Sequence, residues 1–280
     1  MTNPGIAINI AAAVEATAGV LNHRPGALLF DFDGTLSPLV DDPAEAAIEE
    51  RSETALRALV ALVDVVGIVT GRAAADVQEK LDTSDMVVVG NHGLEWVVRG
   101  EHRAHAAGVE AESAVNAALL EIRERIEHDR LSEGVIYENK RLSASIHYRM
   151  APNQKKVGSV LVPLARRVAA SHGLRVTEGK LIVELRPTAE VSKGTAIAQL
   201  QSDLGLASIV FLGDDLTDVD GFIALRDLRD AGTCETLAVG VIGTDSHPKV
   251  GETADTALTE VTGVSEYLEA LVVALKGDNA

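Results

Sequence analysis

Leu28-Leu29-Phe30-Asp31-Phe32-Asp33-Gly34-Thr35-Leu36 is an apolar run that breaks abruptly into two aspartates and a glycine. Residues i and i+2 of an extended strand point to the same side, so Asp31 and Asp33 converge where the run ends. Gly34 lets the chain leave in a conformation that residues with a side chain resist. Two converging carboxylates repel unless a cation lies between them or one keeps a proton. Both arrangements suit phosphoryl chemistry, with one ionised aspartate as nucleophile and one protonated aspartate as general acid. A hard dication with oxygen ligands, Mg²⁺ foremost, would hold the pair. A calcium loop fails on register. The EF-hand pattern needs Gly at its sixth position and Glu at its twelfth, whereas Gly34 is fourth from Asp31 and Asp42 twelfth. A surface acidic turn is the plain alternative, and the apolar run directly before the motif argues against it.

Further short Val- and Leu-rich runs end in the same way, at residues 65–69, 86–89, 209–212 and 237–242. Without alternation they read as strands buried on both faces. Between the first two strands, Ile48, Leu56, Leu59 and Leu62 recur at roughly helical spacing within 43–62. Strand–helix–strand repetition predicts a parallel sheet with right-handed crossovers, and ligands in such folds gather at the carboxyl ends of strands. The middle of the chain differs. Residues 142–149 and 180–186 alternate apolar with polar, and 110–127 and 152–171 read as helices. Alternation predicts sheets with one buried and one polar face. The expected fold class is therefore α/β, with an α+β unit of residues 98–185 inserted into a core of residues 1–97 and 186–280.

Composition narrows the function. The 280 residues carry 25 Lys+Arg against 42 Asp+Glu, a formal charge of −17. Such a chain is poorly suited to a phosphate backbone or an anionic membrane, so neither nucleic acid nor membrane is an expected partner. Any phosphorylated ligand must meet a local cation cluster or a metal. Cys234 is the single cysteine, which suits a reducing compartment. The first 24 residues have no basic start and carry Glu15 inside their apolar stretch, so they read as a short Ala-rich helix rather than a signal peptide. No apolar run approaches the length of a membrane span. A cytoplasmic location is expected.

Three further clusters close other strands or open helices. Phe211-Leu212-Gly213-Asp214-Asp215-Leu216-Thr217-Asp218 supplies more carboxylates, for the metal or for its surroundings. Thr70-Gly71-Arg72 offers a hydroxyl and a guanidinium, both phosphate-oxygen donors. Lys193-Gly194-Thr195 places an ammonium beside a helix N-terminus. Each alone is weak evidence; the four in order are persuasive.

In that order they resemble the haloacid dehalogenase (HAD) superfamily of phosphatases, whose fold is a Rossmann-like core with an inserted cap. The resemblance implies that Asp31 attacks phosphorus and becomes an aspartyl phosphate. Asp33 would protonate the leaving oxygen and then activate water. Asp31, the Asp33 backbone carbonyl and Asp214 would ligate Mg²⁺. Thr70 and Lys193 would bind and neutralise the transferring phosphoryl group, with Asp215 and Asp218 supporting the metal or Lys193; Arg72 is a further substrate-binding candidate. The insertion sits where the superfamily's C2-type caps occur.

Within the insertion and at its margins, Gly90-Asn91-His92-Gly93-Leu94-Glu95, Glu138-Asn139-Lys140, His147-Tyr148-Arg149 and Glu178-Gly179-Lys180 followed by Glu184 and Arg186 look like the trehalose-6-phosphate phosphatase family. That resemblance implies sugar contacts by Glu138, Lys140, Arg149, Lys180 and Glu184, with Asn91 and His92 at the seam. It also implies a functional link to the synthase that makes the sugar phosphate. The residues support part of this directly, because Lys180 and Glu184 would share one strand face, and carboxylates with cationic donors suit sugar hydroxyls. A cap bearing such a face would exclude water during transfer. Ordinary solvated strand faces are the bland alternative.

Other functions compete. Sucrose 6-phosphate or a mannosylglycerate phosphate would suit the same chemistry, and a phosphomutase would use the same aspartyl phosphate. A non-catalytic sugar-phosphate-binding regulatory subunit is the alternative from another class; the intact Asp31/Asp33 pair argues against it. His102 and His105 lack acidic or Cys partners at ligand spacing and read as surface histidines. Cys234 reads as packing, Trp96 as an anchor at the core–cap seam, and Asp41-Asp42 before Pro43 as a helix-entry turn.

Overall fold

The run that ends at Phe30 becomes a strand buried along its whole length, and one large sheet is arranged about it. The structure, a computed structural model, describes residues 9–244 and 246–277. The chain runs α1 (Ile10–Leu21), β1 (Gly26–Phe30), α2 (Glu50–Val60), β2 (Val65–Val69), α3 (Ala74–Lys80), β3 (Val87–Gly90), β4 (Glu95–Val98) and β5 (Glu101–Ala104). It continues through α4 (Ala106–His128), β6 (Ile136–Asn139), β7 (Ala144–His147), α5 (Gln154–Ser171), β8 (Leu174–Gly179) and β9 (Ile182–Pro187). Then come α6 (Lys193–Leu204), β10 (Ser208–Gly213), α7 (Leu216–Asp230), β11 (Glu235–Ile242), α8 (Pro248–Thr253), β12 (Thr256–Thr259) and α9 (Glu260–Gly277).

Two compact units divide this chain. One takes the chain up to Val40, Ala46–His102 and the chain from Val191; the other takes Asp41–Glu45 and Arg103–Glu190. The first is built on a sheet of order β12-β11-β10-β1-β2-β3-β4-β5. From β12 to β3 every pairing is parallel, and β4 adds to β3 antiparallel. Helices cover both faces. Leu28 and Phe30 of β1 pack with α1, α2 and α9 on one side, while Ala27 and Leu29 pack with α6 and α7 on the other. Burial on both faces explains the unbroken apolar runs. All five runs read from the sequence are strands; β12 and the β4–β5 edge are additions to that reading.

The second unit is a four-stranded antiparallel sheet of order β6-β7-β9-β8. Val115, Leu119, Ile122 and Ile126 of α4, with Leu161, Leu164 and Val168 of α5, pack on Ala144, Ile146, Val183 and Leu185. One face of this sheet is thus apolar and covered, as the alternation predicts.

Three local expectations need correction. Residues 43–62 are not one helical stretch: a single 3₁₀ turn (Pro43–Glu45) precedes α2, which starts only at Glu50. The Asp42 side chain accepts from the Ala44 N–H at 2.9 Å, a local bond that competes with helix. The alternating stretch 180–186 is not all strand. Lys180 and Leu181 form the two-residue turn between β8 and β9, with Gly179 opposite Ile182 and Leu181 at φ 61°. Lys180 therefore does not share a strand face with Glu184. Likewise only Ala144–His147 of 142–149 is strand, because Leu142 closes a tight turn onto the Lys140 carbonyl at 2.8 Å.

The Ala-rich stretch forms α1, with its first eight residues outside the described part of the chain. Ala13, Val14, Ala18 and Leu21 are buried, so this helix belongs to the core. None of the described helices is long and apolar enough to cross a membrane. Fully buried Tyr267 of α9 ties α1 in place, its hydroxyl 2.7 Å from Thr17 Oγ1. Thr17→Val leaves that phenol unpaired and is expected to lower stability by about 1–3 kcal/mol, read as a lower urea midpoint. Adding Tyr267→Phe removes the orphaned group and should restore most of the loss; an additive further loss would contradict this account.

Candidate active site

β1 and β10 are adjacent and in register, yet β1 leads on to β2 on one side while β10 leads to β11 on the other. Such a switch point opens a crevice at the carboxyl ends of the two strands. Asp31 follows β1, Asp214 follows β10 and Thr70 follows β2. The Asp31 N–H is pinned to the Leu212 carbonyl at 2.9 Å, which carries the strand register into the site.

Asp31, Asp214 and Asp218 form one acidic cluster, with a ligand atom of each within 4.8 Å of the others. Lys193 Nζ lies 2.8 Å from Asp31 Oδ1 and 2.6 Å from Asp218 Oδ1. Its position is set by the start of α6, where Ser192 and Thr195 exchange side-chain-to-backbone hydrogen bonds in a capping box. Asp218 is fully engaged: its second oxygen accepts from the Asp214 and Asp215 N–H groups at 3.1 and 3.0 Å. Thr35 Oγ1 reaches Asp214 Oδ1 at 3.4 Å. Two glycines make room. A Cβ on Gly34, at φ +81°, would fall on the Asp214 carboxylate, and one on Gly213 would fall on that of Asp218.

The electrostatics follow from burial. Desolvation pushes the Asp31 carboxyl up to about 8, with Asp218 adding to the rise and Lys193 opposing it. Desolvation also holds Asp214 well above the carboxylate range, reinforced by Asp31 and Asp218, although the residue as a whole keeps partial exposure. Burial works against the Lys193 ammonium, but Asp218 and Asp31 outweigh it and raise its pKa. Three carboxylates against one ammonium leave an excess of two negative charges when all are ionised. A site so charged takes up protons or a cation. Its donors are hard carboxylate oxygens, which fit a small dication. Because Asp218 is already engaged, Asp31 and Asp214 are the side chains that would hold it.

Asp33 is elsewhere. β1 ends at Phe30, and residues 31–37 form a turn in which the Gly34 N–H donates to the Ser37 carbonyl at 2.7 Å. The two aspartates of the motif consequently face different cations. Arg72 forks onto Asp33, Nε to Oδ2 at 2.7 Å and Nη2 to Oδ1 at 2.8 Å, while Nη1 binds Asp76 Oδ2 at 2.5 Å. The guanidinium also lies 5.2 Å from the Phe32 ring centroid. Arg72, expected at the phosphate, is thus engaged with two carboxylates. Thr70 is buried, and its hydroxyl accepts from the Arg72 N–H at 3.2 Å.

Asn91 and His92 stand next to this loop in left-handed conformations, φ 49° and 55°. The Asn91 N–H donates to the Arg72 carbonyl and the His92 N–H to the Thr70 carbonyl. Glu95 Oε1 accepts from both Asn91 Nδ2 and the Ala74 N–H at 2.7 Å. Asp215 is exposed at the start of α7. Trp96 sits in β4 and donates to the Gly93 carbonyl at 3.0 Å.

In the second unit, Glu138, Ser145, Glu184 and Thr177 are direct cross-strand partners and form one row across all four strands. Lys140 Nζ, nearly buried, lies 3.3 Å from Glu184 and 3.7 Å from Glu138. Ser145 and Thr177 bond the two Glu184 oxygens at 3.0 and 3.4 Å, and His147 Nε2 lies 3.0 Å from Glu138. Arg149 is placed differently, with Nη2 on the Lys180 carbonyl at 3.4 Å and Nη1 4.0 Å from Asp41. Asp76 and Thr177 were not singled out in the sequence, while Glu95 and His147 stood in the quoted motifs without an assigned role. Asp76 carried a signal in its spacing, four residues after Arg72 and within reach of it across the start of α3.

Residues 29–260 match the family model for trehalose-phosphatase. A Mycobacterium tuberculosis trehalose-phosphate phosphatase is 34% identical over 258 residues, covering 87% of this chain. The chain spans only part of the length of the curated relatives it matches. It covers 63% of that protein and 16% of an M. tuberculosis chain named an uncharacterized glycosyl hydrolase, which is 34% identical over 215 residues (74% of this chain). Among solved structures, the C-terminal domain of a Candida albicans trehalose-6-phosphate phosphatase superposes with a TM-score of 0.77 at 24% identity, covering 98% of this chain and 99% of that one. A haloacid dehalogenase-like hydrolase from Bacteroides thetaiotaomicron gives 0.62 at 15%, covering 88% and 99%. The α/β core is therefore of the haloacid dehalogenase-like kind, and the chain belongs to the trehalose-phosphatase family.

Proposed function

We propose that this protein is a Mg²⁺-dependent phosphatase that hydrolyses trehalose 6-phosphate to trehalose and phosphate. The observation that carries the reading is the Asp31–Lys193–Asp218 cluster with Asp214 at the switch point. It offers a nucleophile, a fixed positive charge and hard oxygen donors within a few ångströms. When bound by Asp31, Asp214 and the Asp33 carbonyl, Mg²⁺ supplies charge neutralisation and orients a phosphoryl oxygen.

The chain's own residues divide the work. An Asp31 oxygen bonds to phosphorus while the phosphorus–sugar oxygen bond breaks, and the departing oxygen takes a proton from Asp33. Water then attacks the aspartyl phosphate, giving its proton to Asp33 and releasing phosphate and the Asp31 carboxylate. Lys193 and Thr70 stabilise charge on the transferring group. Asp33 delivers its proton in the first step, which leaves both its oxygens free to accept from the Arg72 fork, and it gives up one arm again when it takes the proton of water.

The polar row of the second unit reads the sugar. Glu138 and Glu184 accept from hydroxyls, and Lys140 between them donates. Arg149 and Lys180 flank the row through the β8–β9 turn, while Asn91 and His92 serve from the end of β3. Asp215 and Asp218 support Lys193 and the metal. A cytosolic setting agrees with the one cysteine, Cys234, whose thiol burial pushes up to about 11. The link to a synthase supplying the substrate rests on the family resemblance.

Phosphate release from a panel of sugar phosphates tests the reading. Strong preference for trehalose 6-phosphate, abolished by EDTA and restored by Mg²⁺, is expected; a folded protein inactive on every phosphomonoester would overturn it. Asp31→Asn should keep its melting temperature and lose at least about 10³-fold in kcat; near-wild-type turnover would remove Asp31 as nucleophile. Glu184→Gln keeps volume but loses charge-assisted bonds to hydroxyls, worth about 1.5–3 kcal/mol. It should lower kcat/KM for trehalose 6-phosphate by roughly 10–100-fold while an aryl phosphate changes little. Equal losses on both substrates would mean that Glu184 does not read the sugar.

A further inference from the structure

The Arg72 guanidinium is the geometric hub beside Asp33, and it is held from behind. Its side chain is only 7% exposed, with Nε and Nη2 committed to the two Asp33 oxygens and Nη1 to Asp76. A guanidinium is planar and rigid, so fixing one of its nitrogens fixes the directions of the others. Asp76 is in the first turn of α3, whereas Arg72 lies in the loop before it, and the other Asp76 oxygen lies 3.8 Å from Lys80 Nζ. Asp33 by contrast sits in the turn after β1, bridged only locally to Ser37. Among the described residues, the fork from Arg72 is what restrains the Asp33 carboxylate from outside its own turn. Phe32 beneath the guanidinium closes off one side of the plane.

We propose that Asp76 is a positioning residue for the reaction: it orients Arg72, and through Arg72 it aims the Asp33 carboxylate at the leaving oxygen and the attacking water. This rests on the function proposed above. Asp76 touches no reacting atom, and its effect is expected only where Asp33 moves a proton. A positioned acid or base contributes roughly 10²–10⁴-fold, and loosened aim forfeits part of that. Asp76→Asn keeps the shape of the side chain and weakens its hold on Arg72.

The test compares two substrates and a double-mutant cycle. Asp76→Asn should lower kcat for trehalose 6-phosphate about tenfold, with KM within about twofold. The burst of nitrophenolate from 4-nitrophenyl phosphate, whose leaving group needs little protonation, should change less than about twofold. Asp76→Glu, which restores the charge, should recover most of the loss. In an Asp33→Asn background, Asp76→Asn should add less than about twofold, because the group it serves is gone. Equal loss on both substrates, or a full additional loss in the Asp33→Asn background, would reduce Asp76 to a structural role and overturn the inference. Unchanged turnover in Asp76→Asn would overturn it as well. Should Asp76→Asn fail to fold, Asp76→Ser takes its place in the same comparisons. A wild-type protein without phosphatase activity would sink the function itself, an outcome distinct from any of these.

Discussion

An excess of negative charge, held out of water at the ends of two apolar strands, is the constraint on which the site depends. Three carboxylates gathered about one lysine cost free energy that the strands alone do not return. The surroundings are arranged to hold them there. The Asp214 and Asp215 N–H groups cancel part of the Asp218 charge, and Lys193 is delivered by the capped start of α6. Gly34 and Gly213 leave the gaps that the carboxylates fill. The strain of this arrangement is useful, since a cluster that favours a proton over bare charge also favours a hard cation.

The two aspartates of the first motif show how local environment separates roles. Asp31 is buried against an ammonium; Asp33, two residues later, is one-third exposed and meets a guanidinium. Ammonium and guanidinium are not equivalent here. Lys193 is a point charge shared between Asp31 and Asp218, whereas Arg72 presents a flat fork that matches both oxygens of one carboxylate. Lys193 offsets part of the cost of charge at the first aspartate, and Arg72 fixes direction at the second.

Much of this was legible in the residues. The runs 27–30, 65–69, 86–89, 209–212 and 237–242 show as strands because burial on both faces leaves no room for polar alternation. Asp31, Asp214, Asp218 and Lys193 meet because parallel strands end on one side. What escaped has physical reasons. Thr256–Thr259 is too short and hydroxylated to look buried, and β5 lies exposed at the sheet edge with Glu101, His102 and Arg103. Lys180-Leu181 continues the alternation of β9 although it is a turn, since period two says nothing of φ. Arg72 suits a phosphate as well as a carboxylate, so only geometry reveals that Asp33 and Asp76 occupy it. The row Glu138–Ser145–Glu184–Thr177 depends on the register of four strands, which no single stretch encodes.

The pairing of β1 with β10 also bears on how the protein comes into being. β1 is made well before its partner, since Gly26 pairs with Ser208. Until Gly213 has been synthesised, the strand that ends at Asp31 is the open edge of an unfinished sheet. The unit formed by Arg103–Glu190 lies wholly within that interval and has a core of its own, so it can fold while the larger sheet waits. Closure by β10 brings Asp214 and Asp218 to Asp31 in the same event that seals the edge. Nascent chains therefore carry no assembled acidic cluster, and the delay leaves them with an apolar edge that invites association with other chains.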